Sequence, residues 1–235
     1  MLKIILEPNT HKYYNTDTNE EYTSVSAVLD SIKQPFDTEL HAARVAKREG
    51  LDPEYVKSVW ADKTITACNQ GSNEHNALEN FFKNGTIEPK FKKLINNIDS
   101  IVKVFDNRYS KHKILSEKIV YSDKFKVAGT VDLILEFNKY FIIIDFKTNE
   151  KFDFYNKYNE KLLKPVEYLD NCKFNVYALQ LSLYAYMLEN TLNKPCKNLL
   201  ILYIKRNHTI TPININYLKH QADDILWMKQ TSGTI

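Results

Sequence analysis

The segment 126–147 constrains the fold most. Two almost wholly apolar runs, 131–135 and 141–144, flank the polar pair Asn138-Lys139, and a single acid, Asp132, interrupts the first of them. Runs of this kind predict strands covered on both faces, so helices must lie on each side of the sheet. A two-residue turn at Asn138-Lys139 sets the register and places Asp132 opposite Asp145, and Thr130 opposite Lys147. Side chains alternate along a strand, so Asp145 and Lys147 then point the same way, toward Asp132. Directly opposed Cβ atoms lie about 4.5–5.5 Å apart.

Two carboxylates about 4 Å apart repel by roughly 4 kcal/mol at an effective dielectric near 20, and burial makes this worse. A divalent cation between them removes the repulsion, and hard carboxylate oxygens suit Mg²⁺ or Mn²⁺. A lysine two residues on can hold a water and meet charge developing on a phosphate. The plainer reading is a pair of solvated acids near strand ends, with Lys147 as an ion-pair partner. Acid-x-Lys alone says little, since Glu88-Pro89-Lys90 matches it in a polar helix entry. Two other classes also fit part of the pattern. A carboxylate-pair hydrolase such as a glycosidase would leave Lys147 and His75 without roles. A binding module without turnover would have no need of every ligand.

Glycine is scarce: Gly50, Gly71, Gly85, Gly129 and Gly233 are the five. No GxxxxGK[ST] or GxGxxG occurs, which excludes the common nucleotide-phosphate loops. The three cysteines (Cys68, Cys172, Cys196) are far apart, which argues against a disulfide framework or a Cys-rich zinc site and suits a reducing compartment. The run Leu2–Leu6 is too short for a signal peptide, and no stretch approaches the roughly 20 apolar residues that span a bilayer. These features predict a soluble protein of the cytoplasm. A net charge of +3 neither advertises nor excludes a nucleic-acid partner.

Residues 11–25 read as a hairpin. Ser24 caps a short helix to about Ile32, which Pro35 stops, and Asp37 caps a second that ends at Gly50. Asp52-Pro53 opens helical spacing that runs to Gly85. An amphipathic helix follows over about 90–111, then three strands at 114–121, 126–137 and 140–147. A polar, aromatic-rich segment leads to an apolar helix over about 173–192, a strand at 198–205, a turn and a terminal helix over 215–230. The order predicts an α/β domain with a central mixed sheet flanked by helices, the whole of 1–235 forming one unit. A hairpin and helical region fills 1–112, and the sheet core 113–235.

In a helix, glycine costs about 1 kcal/mol relative to alanine, so Gly71, one turn before His75, suggests close packing there. A core histidine beside a kink is the bland alternative, and Glu79, one turn on, is either a supporting acid or a solvated one. Gln180 and Tyr184 share a face of the apolar helix and need partners for their polar atoms, backbone neighbours being the simplest. Residues 151–173 interleave Lys151, Lys157, Lys161 and Lys164 with Phe152, Phe154, Tyr155, Tyr158 and Tyr168. That pattern suits either a single nucleic-acid strand, with lysines on phosphates and rings on bases, or a surface loop. Lys90, Lys92, Lys93, Arg108, Lys111 and Lys113 read equally well as a solvated helix face.

Taken together, Gly71…His75, Gly129-Thr130-Val131-Asp132, Asp145-Phe146-Lys147 and Gln180-xxx-Tyr184, in that order, resemble the PD-(D/E)XK nuclease superfamily in its RecB-like branch. They cover about half the chain, and HKYY near the start and YALQLSLYAYMLE look like single-domain phage or prophage members. The resemblance implies a restriction-endonuclease-like core that hydrolyses DNA with Mg²⁺ or Mn²⁺. It implies that His75, Asp132, Asp145 and the Phe146 carbonyl ligate the metal and that Lys147 positions or activates the attacking water. Gln180 and Tyr184 would contact substrate phosphate or support the metal shell. DNA would be taken as single strands or duplex ends, with a phage or host recombination or replication protein as partner, inside a bacterial host. Val131 stands where the superfamily has its eponymous proline, and the four cysteines of iron–sulfur members are absent, so no cluster is expected.

Overall fold

The computed structural model describes residues 4–7, 10, 12–108 and 113–231. Leu2, Lys3, His11, Lys111, Gly233 and the Arg108 side chain lie outside what is described. Eight strands form one mixed sheet: β1 (Ile4–Glu7), β2 (Lys12–Asn15), β3 (Glu21–Ser24), β4 (Lys113–Ser122), β5 (Val127–Glu136), β6 (Phe141–Lys147), β7 (Cys196–Ile204) and β8 (Ile210–Ile215). The spatial order is β1-β2-β3-β5-β6-β7-β8, with β4 on the other edge of β5. Six helices accompany it: α1 (Val25–Ser31), α2 (Thr38–Glu49), α3 (Pro53–Asn84), α4 (Lys92–Arg108), α5 (Lys173–Leu192) and α6 (Lys219–Thr231). The restriction-endonuclease-like α/β architecture expected from sequence is the one observed.

Capping explains the helix boundaries. The Ser24 hydroxyl accepts from the Ala27 N–H, and the Asp37 and Asp52 carboxylates accept from first-turn N–H groups of α2 and α3. Sequence reading missed β8 and placed the last helix four residues too early. Pro212 inside the run is the reason, because proline argues against a central strand. It is tolerated here because β8 is the last strand in the sheet order and pairs only with β7, with Pro212 opposite Leu202.

The apolar alternation sorts side chains into two cores. Val127, Val131, Ile134, Ile143 and Ile201 pack beneath α1, α5 and α6. Leu133, Leu135, Ile142, Ile144 and Leu202 pack on the other side, against Leu78 of α3 and Leu94, Ile95 and Ile98 of α4. Each fully buried aliphatic side chain contributes about 1.5–3 kcal/mol, so the two layers together clamp the sheet. Val131 and Leu133, two residues apart, fall in opposite cores, so the alternation of β5 breaks at Asp132. It breaks in β4 at the same level: Leu115 and Val120, five apart, pack into one core, and Glu117 between them has φ +49°.

The sheet also forks there. On one edge β5 pairs in parallel with β3 at Val127 and Ala128, and antiparallel with β6 from Leu133 onward. Residues 129–132 have no ladder partner on that edge. The site lies in this fork.

Candidate metal centre and active site

The hairpin register is as expected through Leu133↔Ile144 and Glu136↔Phe141. The expected ladder pairs Asp132 with Asp145 and Thr130 with Lys147 do not form. One step past the last pair, Asp132 Oδ2 accepts a 2.7 Å hydrogen bond from the Phe146 N–H, replacing a backbone acceptor with a carboxylate. From there β6 follows β7, in register up to Lys147↔Tyr203. The departure opens a cleft of about 570 Å³, lined by Gly71 and His75 of α3, by Glu117, Thr130 and Asp132 of the sheet, and by Lys147.

Helix α3 reaches the fork because Gly71 lets it. A Cβ there would stand 2.7 Å from Thr148 Oγ1, so a hydrogen in place of a methyl permits this close approach. His75, one turn on, then sits with Nδ1 3.6 Å from Asp132 Oδ1. His75 is thus a cleft residue, its side chain 29% exposed. Glu79 lines the same cleft and pairs with Lys83.

Sequence reasoning missed Glu117. It lies across from Asp132 where the β4–β5 ladder skips a pair, between Ser116↔Leu133 and Lys118↔Val131. His75, Glu117 and Asp132 each present a ligand atom, all within 4.8 Å of one another. Burial, then the Asp132 charge, pushes the Glu117 carboxyl from 4.5 up to about 8. The β4–β5 register would have revealed it, but that register depends on the connection Asp123–Lys126, which carries no sequence signature as clear as Asn138-Lys139.

Asp145 is 2% exposed and stands beside that trio, in contact with Lys147. Its Oδ2 lies 2.7 Å from Lys147 Nζ, an ion contact without hydrogen-bond angles, which leaves this buried oxygen without a hydrogen-bond partner. Burial, opposed in part by Lys147, holds its carboxyl above the usual range. Three carboxylates on adjacent strands, one of them with a buried oxygen that has no hydrogen-bond partner, and one imidazole make a donor set that fits a divalent cation. The Phe146 ring packs edge-on to His75, and its backbone stands between Asp145 and Lys147.

Lys147 Nζ also donates to Gln180 Oε1 at 3.1 Å, and Gln180 Nε2 donates to the Tyr184 hydroxyl at 3.1 Å. Tyr184 is buried, its ring closing over Gly129, where a Cβ would lie 2.6 Å from Cε1. Neither Gln180 nor Tyr184 is among the residues lining the cleft. The chain of contacts fixes the lysine from behind. Although Lys147 is buried, the charges of Asp145 and Asp132 outweigh desolvation and raise its pKa, so it remains an ammonium at neutral pH.

The crowded acids give a pH prediction. Between about pH 4.5 and 8 the folded chain keeps a proton on Glu117 that the unfolded chain releases, so metal-free stability falls as pH rises through that window. Glu117→Gln removes this part of the slope, and Asp132→Asn, which relieves the same repulsion, is neutral or stabilising without metal. Thermal melts in EDTA across this range check it. With excess Mg²⁺ both variants gain less than wild type. Parallel melting curves for wild type and Glu117→Gln would contradict the placement.

The chain belongs to the PD-(D/E)XK nuclease superfamily, whose family model matches residues 38–225. Nucleases of that superfamily use divalent metals, in keeping with the donor set. Among solved structures, a protein of Eubacterium rectale provisionally named an exonuclease aligns over 98% of this chain and 85% of its own, with 13% identity and a TM-score of 0.42. The protein SSO0001 aligns over 87% and 84%, with 14% identity and a TM-score of 0.31. Comparison with curated proteins finds no match. No helix among the described residues is long and apolar enough to cross a membrane.

Proposed function

We propose that the chain is a divalent-metal-dependent deoxyribonuclease of the RecB-like branch that degrades DNA from its ends, as one nuclease domain, in phage DNA replication or recombination. The observation that carries the chemistry is the acid row Glu117–Asp132–Asp145 with His75 on one side and a charged Lys147 on the other. His75, Glu117 and Asp132, with Asp145 and the Phe146 carbonyl adjacent, would hold Mg²⁺ or Mn²⁺. A bound cation supplies Lewis acidity and positive charge where the phosphate oxygens become more negative.

Lys147 supplies the second positive charge. As an ammonium it would donate hydrogen bonds to the scissile phosphate and to the attacking water. Gln180 and Tyr184 act on the substrate through this lysine by fixing its position. The preference for ends rests on the lack of a recognisable base-reading module, and the phage setting on the sequence resemblance together with an Asn/Lys/Ile/Tyr-rich composition.

Incubation with end-labelled linear and circular DNA, single- and double-stranded, in Mg²⁺, Mn²⁺ or EDTA tests the reading. The expected result is progressive loss of label from linear DNA in either metal, none in EDTA, and intact circles. Cleavage of circles would overturn the exonuclease assignment. Binding of DNA without turnover in either metal would overturn the enzymatic one.

A further inference from the structure

A second cleft, of about 610 Å³, begins where the catalytic one ends: Asn149 lines the first and Glu150 the second. Aromatic rings connect them. Lys147 Nζ lies 4.6 Å from the Tyr177 ring centroid, Tyr177 is 5.7 Å from Phe152, and Phe152 is 5.2 Å from Phe154 and 5.3 Å from Tyr203. At the outer end Phe154 and Tyr155 are 55% and 63% exposed, a large apolar area to leave in water.

Three lysines share the lining: Lys151, Lys157 and Lys205. None of their ammonium groups has an ion-pair partner among the described residues. The two acids present are already engaged, Glu150 3.5 Å from Arg206 and Asp153 accepting from the Lys173 N–H at 3.0 Å. The rest of the aromatic segment singled out from sequence lies elsewhere. Tyr158 lines another cleft, the Tyr168 hydroxyl accepts from Gln221, and Lys161 pairs with Asp170.

Stacking faces and free cations joined to a phosphodiesterase site have one common ligand. We propose that this second cleft binds the unpaired nucleotides of a single DNA strand next to the scissile phosphate, bases stacking on Phe154 and Tyr155 and phosphates meeting Lys151, Lys157 and Lys205. The identity of the ligand rests on the nuclease reading. Paired bases present no free faces to such rings, so the cleft selects single strands over duplex.

The test is anisotropy of fluorescein-labelled oligo(dT) and of a blunt duplex in EDTA, where binding does not depend on turnover. The double variant Phe154→Ala/Tyr155→Ala is expected to bind oligo(dT) at least tenfold more weakly while its duplex affinity and melting temperature stay near wild type. Phe154→Trp/Tyr155→Trp is expected to restore it. Unchanged oligo(dT) affinity in the double alanine variant would overturn the proposal, even if the wild type degrades DNA. Equal losses for oligo(dT) and duplex would overturn the single-strand assignment. If the variant loses oligo(dT) while wild type cleaves nothing, the cleft stands and the nuclease reading falls.

Discussion

Lys147→Ala is expected to lower kcat for DNA hydrolysis by about 10²–10³-fold, the usual effect of deleting one group aimed at developing negative charge. The magnitude follows from where the lysine is held. Its ammonium is fixed between Asp145 Oδ2 at 2.7 Å and Gln180 Oε1 at 3.1 Å, so it loses little freedom when substrate arrives. Lys147→Arg should recover little, because a planar fork does not fit a position shaped for a compact cation. The same change has a separate signature in stability. Without Lys147 the buried Asp145 keeps no counter-ion among the described residues, so it takes up a proton, and the metal-free protein becomes less stable at neutral pH than at pH 5. Saturating Mg²⁺ should restore much of that stability without restoring turnover. A variant with near-normal kcat would remove Lys147 from the chemistry.

Gly129→Ala is expected to destabilise the fold by about 3 kcal/mol, the upper end of the overpacking range. The added carbon would lie 2.6 Å from Tyr184 Cε1 and 3.2 Å from Val25 Cγ2. Both neighbours are buried, and Tyr184 is tethered through its hydroxyl to Gln180, so neither can step aside cheaply. For a chain of this length that corresponds to a fall in Tm of roughly 6–12 °C. Displacing Tyr184 also moves Gln180 and with it Lys147, so kcat should drop beyond what the loss of folded protein explains. Combining the change with Tyr184→Leu, which removes the clashing ring atom, should destabilise by at least 1 kcal/mol less than the sum of the two single changes. Additivity would mean that the glycine serves some other purpose.

Much of the fold was readable because local signals agreed with global packing. Ser24, Asp37 and Asp52 cap helices where their side chains predict, and the Asn138-Lys139 turn gave a correct ladder for four residue pairs. Gly71, one turn before His75, marks the close approach its helical position suggested, to Thr148, whereas the equally close approach of Gly129 to Tyr184 had no such signal in the sequence. What escaped notice depends on departures from regularity. Extrapolating the ladder made Asp132 and Asp145 a facing pair, whereas the sheet forks at that step and hands the Phe146 N–H to the Asp132 carboxylate. Glu117 was invisible because it lies in a strand whose face alternation breaks at a left-handed residue, and nothing in 113–122 announces that break. Pro212 hid an edge strand by a rule that holds for central ones.

The acid row also explains why a chain would tolerate such crowding. Burial and mutual repulsion raise proton affinity at Glu117 and Asp145 in the metal-free protein, and Lys147 offsets part of this at Asp145. A cation replaces those protons, so binding should release protons and tighten as pH rises.

The central claim is that this fork is a metal centre. Anomalous diffraction from crystals grown with Mn²⁺ tests it most directly. The account predicts a peak within coordination distance of His75, Glu117 and Asp132, lost in Asp132→Ala crystals grown the same way. A fork free of anomalous density, in crystals of a protein that degrades DNA with Mn²⁺, would contradict it.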